Sequence, residues 1–375
     1  MDLIFNGIEV QITAIILCVA FLIQLYYYLF NFSKLAFHKV NSVTGKHEPV
    51  SVIICARNEL KNLRENLSAI LDQNYPEFQV VLVNDCSWDE SGKYLEEIQP
   101  LYPHLKVVTL NEQEKYRHGK KFALSLGIKA AKYELLLMTD ADCKPVSSNW
   151  ISRMVSQYNP QTEIVIGYGA YRKSSGLLNK WIRMDTVFNA VQYLSAALGH
   201  NPYMGVGRNL SYKKALFFKN KGFASHNHVM SGDDDLFVNE TATNGNSQVE
   251  LHPESFTESV PRATFMSWLQ QKKRHMSTGK YYKTGHKMML ATFFISHFVF
   301  YLALVVLIVM GLRWEWIVGV AIVRLLIQMF IFGKCMKKLG EFDILWMVPL
   351  FDITVLILYP SLTLSNLLFK DKTWK

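Results

Sequence analysis

The chain lacks both of the common glycine-rich phosphate loops. No GxGxxG follows its first apolar strand-like run, and no GxxxxGK[ST] occurs anywhere in its 375 residues. That disfavours a dinucleotide oxidoreductase and a P-loop ATPase. It also lacks paired cysteines: none of Cys18, Cys55, Cys86, Cys143 and Cys335 forms a CxxC. Redox-motif chemistry is therefore not indicated, and the thiols read as small buried hydrophobes. Residues 1–11 hold Asp2 and Glu9 but no Lys or Arg, so the basic n-region of a cleaved signal peptide is missing. Repeats, low-complexity tracts and nucleic-acid motifs are absent too, so the net charge of +9 is not read as a nucleic-acid footprint.

What the chain does have is apolar residues at both ends. Ile12–Phe30 is interrupted only by Thr13 and Gln24, and its length matches a bilayer core. It reads as an uncleaved anchor. Met288–Met310 and Trp316–Gly333, the latter with an internal Arg324, read as two further spans. Ile344–Phe369 carries Pro349, Asp352 and Pro360 and is expected to be broken, re-entrant or surface-lying. Lysines set the orientation. Lys34, Lys39 and Lys46 follow the first run, Lys280, Lys283 and Lys287 precede the second, and Lys334, Lys337 and Lys338 follow the third. The positive-inside bias then puts the middle of the chain in the cytoplasm, in an integral protein of the cell (inner) membrane. Lys370, Lys372 and Lys375 would fall outside if the last run crossed fully, which again favours a surface-lying segment. The juxtamembrane lysines are placed to meet membrane lipids.

The middle alternates short apolar runs with helical patterns. Val50–Cys55, Gln79–Asn84, Lys106–Leu110 and Tyr133–Thr139 read as strands. Leu60–Gln73, Asp89–Ile98 and Lys120–Ala131 read as helices. Continuous apolar strands alternating with helices predict an α/β fold with a mostly parallel sheet. The expected organisation is an anchor over 1–33, a linker over 34–48, a cytoplasmic domain over 49–279, and a membrane region over 280–375 with two or three spanning or re-entrant segments.

In such sheets, ligands bind beyond the carboxyl ends of the strands. The first strand runs into Arg57-Asn58-Glu59, the second into Asp85, and the fourth into Asp140-Ala141-Asp142. Three polar clusters on one edge predict a ligand site. Asp140 and Asp142 suit a hard divalent cation, which prefers oxygen ligands and in turn holds a diphosphate. Gly232-Asp233-Asp234-Asp235 sets three acids side by side, and that repulsion needs a cap, solvent or a chemical task to sustain it.

Seven stretches in order resemble the membrane-anchored family 2 glycosyltransferases. They are Ser51–Glu59, Val83–Ser91, His118–Leu124, Thr139–Asp142, Gly205–Tyr212, Ser231–Phe237 and Gln270–His275. The resemblance implies a GT-A-type sheet with flanking helices, between transmembrane helices at both ends, and a nucleotide-sugar donor. It assigns Arg57, Glu59 and Asp85 to the nucleotide, Lys120 to the diphosphate or sugar, and Asp140 to the ribose and metal side. Asp142 becomes the direct ligand of Mg²⁺ or Mn²⁺. Asp233, three residues before Leu236, becomes the base, with Asp234 as its rival. Gly232 stands where the family has an acid.

Gln271 and Arg274 match the QxxRW motif of processive polysaccharide synthases, where they meet acceptor and diphosphate, but His275 replaces the tryptophan. The resemblance therefore implies an inverting transferase that moves a sugar, from a UDP-sugar first, to a lipid-linked or growing glycan acceptor. A lipid acceptor is favoured because adjacent spanning segments let an amphiphile's head enter the site while its tail stays in lipid, and the layout also resembles ceramide glucosyltransferases. A processive synthase is the alternative, and a non-catalytic scaffold a third reading.

Overall fold

The N-terminal apolar run folds as α1 (Ile8–Tyr26), continuing through a π-helical turn at Tyr27–Phe32 into α2 (Ser33–Phe37). The computed structural model describes residues 7–40, 48–111 and 119–368. Lys46, His118, Lys370, Lys372 and Lys375 lie outside the described residues.

The alternating region then gives β1 (Val50–Ala56), α3 (Leu60–Leu71), β2 (Phe78–Asp85), α4 (Ser91–Ile98), β3 (Leu105–Leu110), α5 (Lys120–Ala130) and β4 (Leu135–Asp140). These elements agree with the sequence pattern to within two residues at nearly every end. The strand residues alternate between faces. Val52 and Ile54 pack with Leu63, Leu67 and Trp150 in one buried cluster, while Ile53 packs with Leu124 and Ile128 in the other. Gly127 of α5 allows the helix close to the sheet, because a Cβ there would lie 2.8 Å from Ile53 and 2.9 Å from Val83.

The rest of the domain comprises β5 (Cys143–Pro145), α6 (Trp150–Val155), β6 (Ile164–Ile166), β7 (Gly169–Tyr171), α7 (Leu177–Leu198), β8 (Leu210–Lys213), α8 (Lys214–Lys219), α9 (Asp235–Thr241), β9 (Ser247–Val249), β10 (Thr257–Ser259) and α10 (Phe265–Met276). The main sheet has the order β3-β2-β1-β4-β8-β6-β9. Its first four strands are parallel, and only β8 runs against its neighbours. A small second sheet, β5-β10-β7, lies beyond the end of β4. Asn209 ties the two sheets: its amide donates to the Tyr168 and Ser255 carbonyls and accepts from the Trp150 indole.

Three long apolar helices follow: α11 (Thr284–Val309), α12 (Trp314–Lys338) and α13 (Val348–Leu368). With the N-terminal helix they make four that are long and apolar enough to cross a membrane. α1 runs antiparallel to α11, since Tyr27 bonds to Met289, Gln24 to Phe293, and Thr13 to Met310. Lys338 at the end of α12 donates to the His38 carbonyl just past α2, so the ends of α2 and α12 lie on one side. That agrees with the lysine pattern. One continuous apolar cluster joins these helices to the sheet through α7, with Phe188 packed near Phe293, Phe332 and Phe351.

The last apolar run is not broken as its prolines suggested. Pro349 sits in the first turn of α13, where its missing N–H costs nothing, and Pro360 is carried inside the helix. Both ends of this segment return to the α/β domain. Asp343, just before α13, pairs with Arg183 and Lys173, and Asn366 in its last turns donates to the Lys273 carbonyl. Asp352 is buried against Arg324 at 2.7 Å, and the same guanidinium reaches Gln24, Tyr28 and His297. One polar knot thus joins α1, α11, α12 and α13. Of the cysteines, Cys143 and Cys335 are buried and Cys55 and Cys86 half-buried, but Cys18 is exposed on α1, where an apolar surrounding accepts it.

Candidate active site

The parallel register brings the strand ends together, with Ala56 opposite Asn84 and Cys55 opposite Asp140. Asn58 and Cys86 take left-handed backbone (φ 56° and 52°) just past β1 and β2. Ser87 accepts from the Asn58 amide, and the Asn58 side chain accepts from the Trp88 amide. The two loops are thereby locked to each other at the sheet edge.

Beyond that edge lies a cavity of about 460 Å³. All ten residues singled out from the sequence line it: Arg57, Glu59, Asp85, Lys120, Asp140, Asp142, Asp233, Asp234, Gln271 and Arg274. They come from the ends of β1, β2 and β4, the start of α5, the approach to α9, and α10. The cavity continues to Leu290 and Phe294 on α11 and to Tyr359 on α13.

Lys120 opens α5 and places its ammonium 2.8 Å from Asp140 and 2.7 Å from Asp233. Burial opposes the lysine charge, yet these carboxylates hold it well above the ordinary lysine range. Burial alone would raise the Asp233 carboxyl, but Lys120 more than offsets it and holds the group below the usual carboxylate range. Lys121 takes a different direction: it donates to the His226 and Val229 carbonyls and fixes the segment leading to Gly232. Its own burial pushes it down to about 8.

The three acids have three environments. Asp234 is half-buried and caps α9, accepting from the Asp235 amide at 2.7 Å and from the Gly207 amide at 2.7 Å. Burial and its two acidic neighbours push it up to about 7. Asp235 is buried and held by the hydroxyls of Thr278 and Tyr282. Asp233 alone faces Lys120. The glycine before them has a local cause: Gly232 has φ +99°, and a Cβ there would lie 2.5 Å from the Leu236 side chain. An acidic residue does not fit that backbone.

The metal motif fits a hard cation. Ligand atoms of Asp140, Asp142 and Cys143 lie within 4.8 Å of one another. Burial, then Asp142, push the Cys143 thiol well above its ordinary range, so a thiolate is not offered. That leaves the two carboxylates. Burial and the nearby Asp140 raise the Asp142 carboxyl, as expected for a pair that a divalent ion would relieve.

On α10, a capping box at Thr264 and Ser267 fixes the helix start. Buried Arg274 Nε finds no protein partner among the described residues. His275 opens toward the cavity. His275 is exposed to solvent on that side, and desolvation by the surrounding protein, then Arg274 and Lys272, hold its imidazole below the ordinary range. Trp268 is buried against Phe265 and lines the cavity, and Gln271 also lines it.

Arg208, Asp185 and Tyr359 also line the cavity and were not picked out from the sequence. Arg208 stacks over Tyr171 at 4.4 Å and donates to the Ala170 carbonyl and Ser259. Its position beside Asp142 depends on the second sheet, which no local pattern announced. Asp185 on α7 pairs with Lys272 on α10 at 2.8 Å, and Tyr359 on α13 donates to the same carboxylate. The only sequence signal there was a charged residue inside a largely apolar helix.

An open α/β sheet with an acidic cavity at its carboxyl edge, joined to long apolar helices, defines a membrane-associated GT-A architecture. Residues 51–229 match the family described as glycosyl transferase family 2. The chain therefore carries a family 2 glycosyltransferase domain. It is 28% identical over 158 residues to the poly-beta-1,6-N-acetyl-D-glucosamine synthase of Staphylococcus epidermidis, covering 41% of this chain and 37% of that one. It is 26% identical over 125 residues to the 4,4'-diaponeurosporenoate glycosyltransferase of Staphylococcus aureus, covering 33% and 32%. The chain thus matches about a third of the length of each of these relatives. The fold matches a mannosyltransferase from Pyrobaculum calidifontis, solved with GDP-Man and Mn²⁺. The TM-score is 0.60 at 17% identity, covering 96% of this chain and 99% of that one.

Proposed function

We propose that the chain transfers a sugar from a nucleotide-diphospho-sugar, a UDP-sugar first, to the hydroxyl of a membrane-associated lipid, with inversion at the anomeric carbon. The observation that carries this reading is the single cavity. It runs from Arg57, Glu59 and Asp85 past the acidic cluster to Leu290, Phe294 and Tyr359 on the apolar helices. A donor end and a membrane end in one space suit a polar donor meeting an amphiphile.

In this reading Glu59 and Asp85 hold the base and ribose, assisted by Arg57. Asp140 and Asp142 hold Mg²⁺ or Mn²⁺, which when bound neutralises charge on the leaving diphosphate. Arg274 supplies a planar cation to the phosphates, and Gln271 lines the acceptor side. Lys120 turns from Asp233 to the diphosphate as the donor enters. Asp233, released, takes the proton of the acceptor hydroxyl. Asp234 holds the Gly207 amide and caps α9, and is the rival base. The structural neighbour solved in complex with GDP-Man and Mn²⁺ is in keeping with a nucleotide-sugar and a metal here.

The domain over 49–279 is proposed to be cytoplasmic. α1, α11 and α12 would cross the cell membrane, and α13 would lie along its inner face, where both ends of the segment meet the α/β domain. A processive polysaccharide synthase is the second reading, favoured by the poly-N-acetylglucosamine synthase likeness. Against it stands His275 in place of the aromatic platform. Nucleotide release by the purified protein, screened over nucleotide sugars with Mg²⁺ or Mn²⁺ and with or without extracted lipid, tests the proposal. Release needing one donor, a metal and lipid supports it. A polymer ladder formed without added lipid overturns the single-transfer reading.

A further inference from the structure

Trp88 stands in the loop after β2 with 77% of its surface exposed. A large ring left in solvent forfeits the burial that normally accounts for a tryptophan. Its backbone, by contrast, is firmly held. The Trp88 amide donates to the Asn58 side chain at 2.9 Å, and the Asn58 amide donates to the Ser87 hydroxyl at 2.9 Å. Asp89 then accepts from the Leu60 amide at 3.2 Å and from the Ser91 amide at 3.0 Å. The loops after β1 and β2 are therefore clasped to each other at the residues on either side of Trp88.

That clasp sets the indole beside Arg57. The guanidinium carbon lies over the Trp88 ring, 5.8 Å from its centroid, within the range of cation–π attraction. Arg57 in turn lines the cavity with Glu59 and with Asp85, which is buried at the end of β2. A guanidinium is planar, so it offers a flat face for stacking as well as donors at its edge. Held against the indole, it has less freedom to lose when a ligand arrives.

We infer that Trp88 is a positioning residue for the nucleobase of the donor, holding the Arg57 guanidinium as a flat wall of the nucleotide site. The inference rests on the glycosyltransferase reading above and adds to it a residue that lies outside the cavity and acts through Arg57. Every base has a π-face, so stacking of this kind supplies affinity rather than choice between bases. An indole in the loop is needed for it only as an aromatic surface, and a phenyl ring supplies the same support.

The test measures the dissociation constant of UDP, or of GDP if the parent binds that more tightly, by calorimetry with Mn²⁺ on the full-length protein in detergent. The proteins are the parent, Trp88→Ala, Trp88→Phe, Arg57→Ala and the double variant Arg57→Ala with Trp88→Ala. Trp88→Ala is expected to weaken binding by about fivefold, the scale of a cation–π contact, and Trp88→Phe to stay within about twofold of the parent. The double variant should bind as Arg57→Ala does, because Trp88 acts through that side chain. Unchanged binding by Trp88→Ala overturns the inference. So does a fivefold loss that Trp88→Ala repeats in the Arg57→Ala background, or a loss that Trp88→Phe does not rescue. In each of those cases the parent still binds nucleotide, so the glycosyltransferase reading stands and only the role of Trp88 falls. If the parent binds neither nucleotide, both fall together.

Discussion

The Lys120 ammonium sits 2.7 Å from the Asp233 carboxylate, and the same nitrogen is 2.8 Å from Asp140. A cation thus occupies the point between the proposed base and the proposed metal motif. In that arrangement Asp233 is a weak base, because Lys120 holds its pKa low. Entry of a diphosphate offers the lysine a different anion, and so couples donor binding to release of the base.

Lys120→Met is therefore expected to lower kcat/KM by about 10²–10³-fold, the scale seen when one electrostatic stabiliser is removed. Loss of the lysine also removes what depresses Asp233, so the acid limb of the pH–rate profile should move to higher pH. Steady-state rates from pH 4 to 9 check both points. An unshifted acid limb would contradict the coupling.

Asp234 offers a stability test with a definite sign. Its carboxyl is raised to about 7 in the folded protein, above its unfolded value. The group is therefore protonated in the fold and ionised in the unfolded chain between about pH 4 and 7, and the fold loses stability as pH rises through that window. Asp234→Asn cannot ionise, though it gives up one of two backbone contacts, worth about 1 kcal/mol. The melting temperature of Asp234→Asn relative to the parent should become more favourable from pH 4 to 7 and then level off. A difference that does not change with pH would mean that Asp234 is not perturbed.

The Arg324–Asp352 pair lies buried among the apolar helices. Removing one partner leaves an uncompensated charge, at a cost of about 3–5 kcal/mol. Asp352→Ala should melt well below the parent in detergent. The double change Arg324→Met with Asp352→Leu should recover much of the loss, since a buried pair can often be replaced by packed apolar groups. If the single and double variants melt alike, the pair is not what holds these helices.

Gly232→Glu would restore the acid that relatives are expected to carry there. In this chain it should instead destabilise by about 1–3 kcal/mol, because φ is +99° and Leu236 fills the Cβ position. Thermal denaturation decides it, and a neutral result would argue against this backbone.

Much of this was readable in the sequence, and what was readable was local. β1, β2 and β4 are continuous apolar runs, and their boundaries followed from composition. The carboxylates after them fell on one edge because parallel strands share a direction. The residues that escaped depend on pairing across the chain. Arg208 matters only once Tyr171 and Ser259 stand beside it in strands of three residues. α7 has most of its residues buried, so it has no amphipathic stripe to betray it. The course of α13 follows contacts made across the chain, at Asp343, Asp352, Tyr359 and Asn366, and not Pro349 or Pro360. The choice between Asp233 and Asp234 was open in sequence, and it is the position of Lys120 that now separates their environments.

The central claim is that this cavity transfers a sugar with the help of a cation held by Asp140 and Asp142. The most direct measurement is nucleotide release from the purified protein with its donor and lipid, comparing the parent with Asp142→Asn, each with metal and after chelation. The account predicts release by the parent with metal, loss of at least 10²-fold on chelation, and no metal response in Asp142→Asn. Undiminished release by Asp142→Asn, or by the parent after chelation, would contradict it.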